Sequence, residues 1–310
     1  MTIPYSFGEK MRIVTRPDFD GIVCAVILVE ALDIKRPVKW VEPGEIQKNQ
    51  VNIYREDIIA NLPYHENCLQ WFDHHVSNRI DKPFEGAFEI APSAAGVVCR
   101  YYQDRLKRDY REIIRETDKI DSADLSLDEV VHPEKYPFVL LSMTVSNHKS
   151  NDDLYWNRLV RLLRKNDILT VLCDTEVQKR CKAVVQQNAD FKKHLIKNTE
   201  LKKHVSISDF RSFKKAPTGN RFLVYSLFPE AVVSAKIRFD DLDKETVIVS
   251  IGHSIFNRNC NVNVGLMLSD FEGGGHRGAG ACSFHVSKAD FYIPKIIEIL
   301  IKNESNEPKG

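Results

Sequence analysis

The stretch Cys68-Leu69-Gln70-Trp71-Phe72-Asp73-His74-His75 constrains this chain more than any other. An apolar run ends abruptly in one acid and two imidazoles. Residues 68–72 read as a short buried strand. Asp73, His74 and His75 then emerge at its carboxyl end, where open α/β sheets collect their ligands. Burying a carboxylate and two imidazoles without partners is unfavourable, and a bound metal or phosphate relieves it. The plainer alternative is a polar turn that happens to hold two histidines.

The first residues repeat this placement. Residues 11–15 read as a strand, followed by the turn Arg16-Pro17-Asp18-Phe19-Asp20-Gly21 and an apolar helix over 22–28. Pro17 and Gly21 punctuate the turn. Asp18 and Asp20, two apart, point both carboxylates into one space. Such crowding disfavours bare anions and suits ligands of a divalent metal. The alternative is an acidic turn in which Asp20 caps the helix.

Residues 38–41 read as a second strand and 49–54 as a weaker third, which leaves Asp57 between a strand and the loop leading to Cys68–His75. Residues 76–90 read as loop. A helix opens near Ser93, which satisfies helix-terminal amides. Another starts near Tyr110 and runs into an acidic stretch, where Asp118 or Asp121 would complete a metal shell and the other would cap a helix or orient a histidine ring. Residues 136–144 and 154–163 continue the helical section. His132, Asn147 and His148 lack metal spacing and read as structural or surface residues.

Residues 175–197 suit a long amphipathic connector helix, with Val177, Cys181, Val184, Phe191 and Leu195 on one face. From Val205 the apolar period shortens. Residues 222–228, 232–239 and 246–251 read as strands of a small α/β domain, with a helix over 261–268. The domain boundaries read as 1–172, a connector over 173–204, and 205–310. Next comes Gly273-Gly274-Gly275-His276-Arg277-Gly278-Ala279-Gly280. It is neither a dinucleotide fingerprint nor a P-loop, since it lacks the lysine and hydroxyl. Three successive glycines let backbone N–H groups converge on an anion, and His276 and Arg277 add charge-assisted bonds. A flexible turn with a surface histidine is the alternative.

Composition narrows the partners. Lysine plus arginine number 44 against 43 aspartates and glutamates, so bulk charge does not advertise a nucleic-acid binder, although a local positive cleft could still serve one. No apolar stretch approaches a membrane span, and residues 1–10 lack the apolar core of a signal peptide. Seven scattered cysteines never form CxxC, so neither a disulfide framework nor a zinc knot is expected. The expectation is a soluble cytoplasmic protein with no membrane partner.

Asp18-Phe19-Asp20-Gly21, Asp73-His74-His75 and the Gly273–Gly280 segment, in that order, resemble the DHH phosphoesterase superfamily. More narrowly the chain resembles its DHH plus DHHA1 proteins of the exopolyphosphatase-like or oligoribonuclease-like kind, over nearly its whole length. The resemblance implies an α/β protein with an N-terminal parallel-sheet DHH domain and a smaller C-terminal α/β DHHA1-like domain. It implies manganese, with magnesium as the alternative, at two ion sites. In that pattern Asp18 and Asp20 bind metal, Asp57 bridges two ions, and His74 binds metal. Asp118 supplies a further carboxylate, preferred to Asp121 for its position at the end of the helical segment. His75 faces the substrate phosphate and Asp73 supports the shell, so that Asp57, Asp73 and His75 form the catalytic set. Arg16, Arg258, His276, Arg277 and the backbone of Gly273, Gly274 and Gly275 grip a phosphate or a terminal nucleotide.

One departure matters. The family usually has a histidine just upstream of the first aspartate pair, where this chain has Val14 or Arg16, depending on register. No histidine precedes His65, which leaves one ion site short of a ligand. The implied reaction is metal-dependent hydrolysis of a short single-stranded oligonucleotide or a phosphorylated nucleotide by activated water. Linear polyphosphate is the second substrate class. A noncatalytic nucleotide or phosphate sensor is a further reading, motivated by the missing histidine, and a structural scaffold would hold no metal. A homodimer is left open.

Overall fold

The computed structural model describes residues 10–145 and 152–307. Asn147 and His148 lie outside the described residues. The chain divides into two units. Unit 1 takes residues 10–124 and Glu134–Lys182, and unit 2 takes Leu125–Pro133 and residues 183–307.

In unit 1, β1 (Arg12–Thr15), β2 (Lys39–Trp40), β3 (Asp57–Ala60), β4 (Gln70–Asp73) and β5 (Gly86–Phe88) form one sheet in the order β2-β1-β3-β4-β5. Every neighbouring pair is parallel. The sequence reason is visible in the strands. Ile13 and Val14, Ile58, Ile59 and Ala60, and Trp71 and Phe72 are consecutive and fully buried. Uninterrupted apolar runs, rather than alternation, are what a sheet covered on both faces requires. The chain leaves β1 outward to β2 and returns to β3 on the other side. The crevice at the carboxyl ends of β1 and β3 is therefore a topological switch point.

Helix α1 (Phe19–Leu32) is buried all round from Phe19 to Leu28. Helices α2 (Pro43–Gln47), α3 (Ala94–Tyr101) and α4 (Arg111–Asp121) follow it. The short α5 (Leu127–Val131) belongs to unit 2, and α6 (Pro137–Met143), α7 (Asp153–Lys165) and α8 (Ile168–Leu172) return to unit 1. α1 packs against α3, α4 and α7, which explains its lack of a polar face.

Two expectations for this half are corrected. No strand covers residues 49–54; the third strand begins at Asp57 instead. Within the expected loop over 76–90, β5 forms an edge strand. It can do so because Gly86 has φ +121°, and a Cβ there would stand 2.0 Å from the Trp71 carbonyl oxygen.

Helix α9 (Thr175–Asn198) carries the chain into unit 2. There β6 (Thr199–Lys202), β7 (Val205–Asp209), β8 (Val233–Phe239), β9 (Thr246–His253), β10 (Gly273–His276) and β11 (Ala279–His285) form a sheet ordered β10-β11-β9-β8-β7-β6. Only the β7–β8 pair is parallel. These strands alternate. Val233, Ala235 and Ile237 of β8 and Val247, Val249 and Ile251 of β9 share a core with residues of α11 (Val264–Ser269) and α12 (Ala289–Lys302). The residues between them point to the opposite face.

The stretch 222–228, read above as a strand, is the helix α10 (Leu223–Leu227). Leu223, Val224 and Tyr225 are buried in succession, packed in a second cluster with Val130 of α5, Phe191 and Leu195 of α9, and Phe210. A short apolar run does not distinguish the two periods, and packing on several sides decided this one.

Candidate metal centre

The site is built at the carboxyl edge of the unit 1 sheet. Asp18 caps α1, with its Oδ1 accepting from the Gly21 backbone N–H at 2.8 Å. Gly21 is required for this turn, because a Cβ there would fall 2.0 Å from the Arg16 carbonyl oxygen. Asp20 does not cap its own helix, as the simpler sequence reading held. Its carboxylate is fully buried and accepts from the backbone N–H groups of Ala94 at 3.0 Å and Ala95 at 2.8 Å, in the first turn of α3. A helix amino terminus favours a negative charge at that point. The α3 cap, Ser93, accepts from Gly96 N–H at 3.0 Å and donates to Asp118 Oδ1 at 2.5 Å.

The acid and two imidazoles arrive from β4. Asp73 is fully buried and acts as a hub: its Oδ1 accepts from the His74 N–H at 2.9 Å and from His75 Nδ1 at 2.8 Å, and its Oδ2 accepts from Asn78 Nδ2 at 2.6 Å. His74 Nδ1 lies 2.9 Å from the Ala91 carbonyl oxygen. A carbonyl only accepts, so Nδ1 carries the proton and Nε2 of the neutral ring presents a lone pair. Burial, reinforced by the neighbouring His75, lowers the His74 pKa and keeps that ring neutral.

His74 Nε2 is buried without a hydrogen-bond partner. It stands 3.8 Å from Asp20 Oδ2 and 3.4 Å from Asp121 Oδ2. Two carboxylates and a ring nitrogen thus converge, all within 4.8 Å of one another. The repulsion shows in the acids. Burial, then the charges of Asp121 and Asp18, push the Asp20 carboxyl well above the usual range. Burial drives Asp18 to about 6 against the opposing pull of Arg16. A cation between the three groups removes this repulsion. Two carboxylates and a neutral imidazole, with no thiolate, fit a divalent ion of the magnesium or manganese kind.

The structure does not bring every expected residue here. Asp57 opens β3 and so sits at the amino edge of the sheet, in register with Arg12, while Ala60 at the other end pairs with Thr15. Three residues of strand separate the two edges, about 10 Å. Asp57 is held by Arg12 through Nε at 2.8 Å and Nη2 at 2.6 Å and accepts from the Tyr54 N–H at 2.8 Å. The expectation that it bridges two ions is therefore corrected: the strand starts at this acid rather than ending before it. The residue that does follow β3 is Asn61, whose Nδ2 donates to Asp18 Oδ1 at 2.9 Å. Sequence reasoning missed it, although Ile58-Ile59-Ala60-Asn61 repeats the pattern of an apolar run ending in a polar residue.

Asp118 is corrected likewise. It serves Ser93, and Asp121, one turn further along α4, faces His74. Val14 is core, packed with Val41, Ile59 and Leu62. Arg16 lies on the acids, with its Nε 3.3 Å from Asp18 Oδ2 and 3.8 Å from Glu42 Oε2. His75 is pulled down by burial, but its hydrogen bond to Asp73 and that carboxylate's charge outweigh this and raise its pKa.

Unit 2 holds the remaining expected residues. Gly273, Gly274 and Gly275 form the edge strand β10, not an anion-gripping loop. Packing explains two of them: a Cβ on Gly273 would meet the Ala281 carbonyl oxygen at 2.4 Å, and Gly275 has φ +148° with the Ala279 carbonyl oxygen 2.4 Å away. Gly274 alone of the three faces open space. His276 is exposed, Arg277 is ion-paired with Glu307, and Arg258 Nε donates to the Ile255 carbonyl at 3.1 Å.

No family model matches the chain, and no curated protein matches it. Solved structures do. A pGpG-specific phosphodiesterase, PggH from Vibrio cholerae, is similar at 29% identity and a TM-score of 0.80, covering 96% of this chain and 100% of that one. RecJ from Thermus thermophilus, in complex with Mn2+, aligns at 13% identity and a TM-score of 0.55, over 97% of this chain and 53% of RecJ. The DHH domain of a protein described as a member of a ribosomal-protein family aligns at 10% identity and a TM-score of 0.58, over 96% of this chain and 88% of that one. The last two likenesses concern the fold alone. With Asp18, Asp20 and His74 at the carboxyl edge of a parallel sheet, Asp121 at the end of α4 beside them, and a second sheet unit following α9 in the chain, the protein belongs to the DHH/DHHA1 phosphoesterase superfamily.

Proposed function

We propose that this chain is a divalent-metal-dependent phosphoesterase acting on short oligonucleotides, with a 5′-phosphorylated dinucleotide of the pGpG type as its substrate class. One observation carries the chemistry: the buried, unprotonated His74 Nε2 aimed at Asp20 and Asp121. The likeness to PggH along the full length of both chains supports the substrate.

Asp20, His74 and Asp121 hold the ion, manganese or magnesium. Bound there, it supplies Lewis acidity for transfer of a phosphoryl group to water. The protein's own residues position the rest. Asp73 fixes the His75 ring through Nδ1 and favours its protonated form, so that His75 can donate to a phosphate oxygen. A second ion has a weaker donor set, although the Asn61 Oδ1 is buried without a partner. An amide, Asn61, rather than an acid stands at the end of β3, and both Asp18 oxygens are engaged, one by Gly21 and Asn61 and the other by Arg16. One tightly held ion per chain is the reading that follows. A cytoplasmic location is part of the same proposal; among the described residues no helix is long and apolar enough to cross a membrane.

The Arg16–Asp18 pair also favours a second reading, a noncatalytic nucleotide sensor. A manganese-supplemented assay separates them, using pGpG, the same dinucleotide without its 5′-phosphate, and linear polyphosphate, with product lengths resolved. Release of mononucleotide from pGpG that disappears in His74→Ala is the expected result. Nucleotide binding without turnover would favour the sensor, and preferential cleavage of polyphosphate would replace the substrate class.

A further inference from the structure

Unit 2 contains a second electrostatic imbalance, of opposite sign. On β8, Ser234, Lys236 and Arg238 alternate with the core residues Val233, Ala235 and Ile237 and so share the other face of the sheet. Lys236 lies between Ser208 of β7 and Ser250 of β9, each directly opposite it in register. Hydroxyls surround this point. Ser208 Oγ is 2.8 Å from Thr199 Oγ1, and the Tyr225 hydroxyl is 2.7 Å from Ser234 Oγ while donating to the Gly252 carbonyl at 2.6 Å.

No carboxylate answers the lysine. Among the described residues the Lys236 ammonium makes no hydrogen bond and no ion pair, and Ser250 Oγ has no partner either. The charges acting on Lys236 are those of Arg238 and Arg221, both positive, and they add to burial in pulling its pKa down. Arg238 Nη1 donates to the Phe239 carbonyl at 3.0 Å, and the carboxylate nearest to it, Asp241, is 3.9 Å away. A partly buried ammonium in mid-sheet, with two guanidinium groups acting on it, is unfavourable unless an anion joins it. Three cations and a hydroxyl donor match a phosphate monoester, which carries a charge of roughly −1.5 to −2 at neutral pH and three acceptor oxygens.

We infer that Lys236, Arg221, Arg238 and the Ser250 hydroxyl form a phosphate-binding site on the unit 2 sheet, occupied by the phosphate of a phosphorylated nucleotide. The site stands on the cation cluster; the choice of a nucleotide over free phosphate rests on the phosphoesterase reading.

Calorimetry in chelator tests it with three probes: pGpG, the dinucleotide lacking the 5′-phosphate, and inorganic phosphate. Wild-type protein is expected to bind pGpG about tenfold or more tightly than its unphosphorylated counterpart. Lys236→Met erases that ratio, Lys236→Arg retains it, and Ser250→Ala reduces it about threefold. The arginine and alanine variants keep the test valid if the methionine variant fails to fold. An equal preference in wild type and Lys236→Met, or no preference in wild type, overturns the site. Lys236-dependent binding of inorganic phosphate without any effect of the 5′-phosphate overturns the nucleotide assignment. Because the ion is chelated, a failure of turnover would sink the phosphoesterase reading without touching this ratio.

Discussion

The carboxyl edge of the unit 1 sheet and the polar face of the unit 2 sheet fail in opposite ways when considered as bare protein. The first gathers Asp20, Asp121 and the unpartnered Nε2 of His74 within 4.8 Å of one another. The second sets the Lys236 ammonium in the field of Arg238 and Arg221, with no anion paired to it among the described residues. Elsewhere the chain neutralises its buried charge internally, as Arg12 does for Asp57 and Arg180 does for Asp152. The contrast shows what distinguishes a structural ion pair from a site. The first is complete within the chain, whereas the second leaves a charge or lone pair that something external must answer.

The strongest challenge to that contrast lies at His74. His74→Ala should lower manganese affinity by on the order of 100-fold or more, read by metal titration, and abolish turnover. Unchanged affinity would place the ion elsewhere. Wild-type titration should also saturate at one ion per chain.

Asp57→Ala probes the opposite class. Removing one partner of a buried pair leaves Arg12 uncompensated, at a cost of about 3–5 kcal/mol by urea unfolding. The folded fraction should keep its full ion affinity. A loss of ion binding in this variant would return Asp57 to the metal shell.

Asp121→Asn and Asp118→Asn set the two classes side by side on one helix. The first should weaken ion binding about tenfold or more, and the second should leave it intact while costing about 1 kcal/mol through the Ser93 contact.

The smallest effect is the pH dependence of chelated protein. Asp18 is raised from 3.8 to about 6, so between those values the native state binds more protons than the unfolded one. Its contribution to stability therefore falls as pH rises through that window. Lys236 is lowered from 10.5, so the native state binds fewer protons below that value and stability climbs as pH approaches it. Thermal melts should show the acid limb flatten when manganese is added and the alkaline limb flatten with phosphate.

Much of the site was legible in the residues. An apolar run that stops at a polar one marks the edge of a parallel strand, and that signal placed Asp18, Asp20, Asp73, His74 and His75 at one edge. The same signal misled at Asp57. A strand assigned to residues 49–54 put the acid after it, whereas Ile58, Ile59 and Ala60 are the buried strand and Asp57 precedes them. A slip of a few residues along a strand exchanges one edge of a sheet for the other. Asp118 and Asp121 could not be separated by position, because both lie on the last turns of α4. The hydroxyl of Ser93, on another element, claimed one of them.

The two-part α/β plan, the acid and imidazole chemistry, and the family were fixed by the residues alone, because hydrophobic period and residue type are local properties. Packing in three dimensions settled which acid meets His74, that Asn61 and Arg16 flank Asp18, and that the three glycines form a strand. It also set Lys236 among positive charges. Each of these depends on side chains distant in sequence sharing a space with little water, where an unmatched charge is most costly, and no local pattern records that encounter.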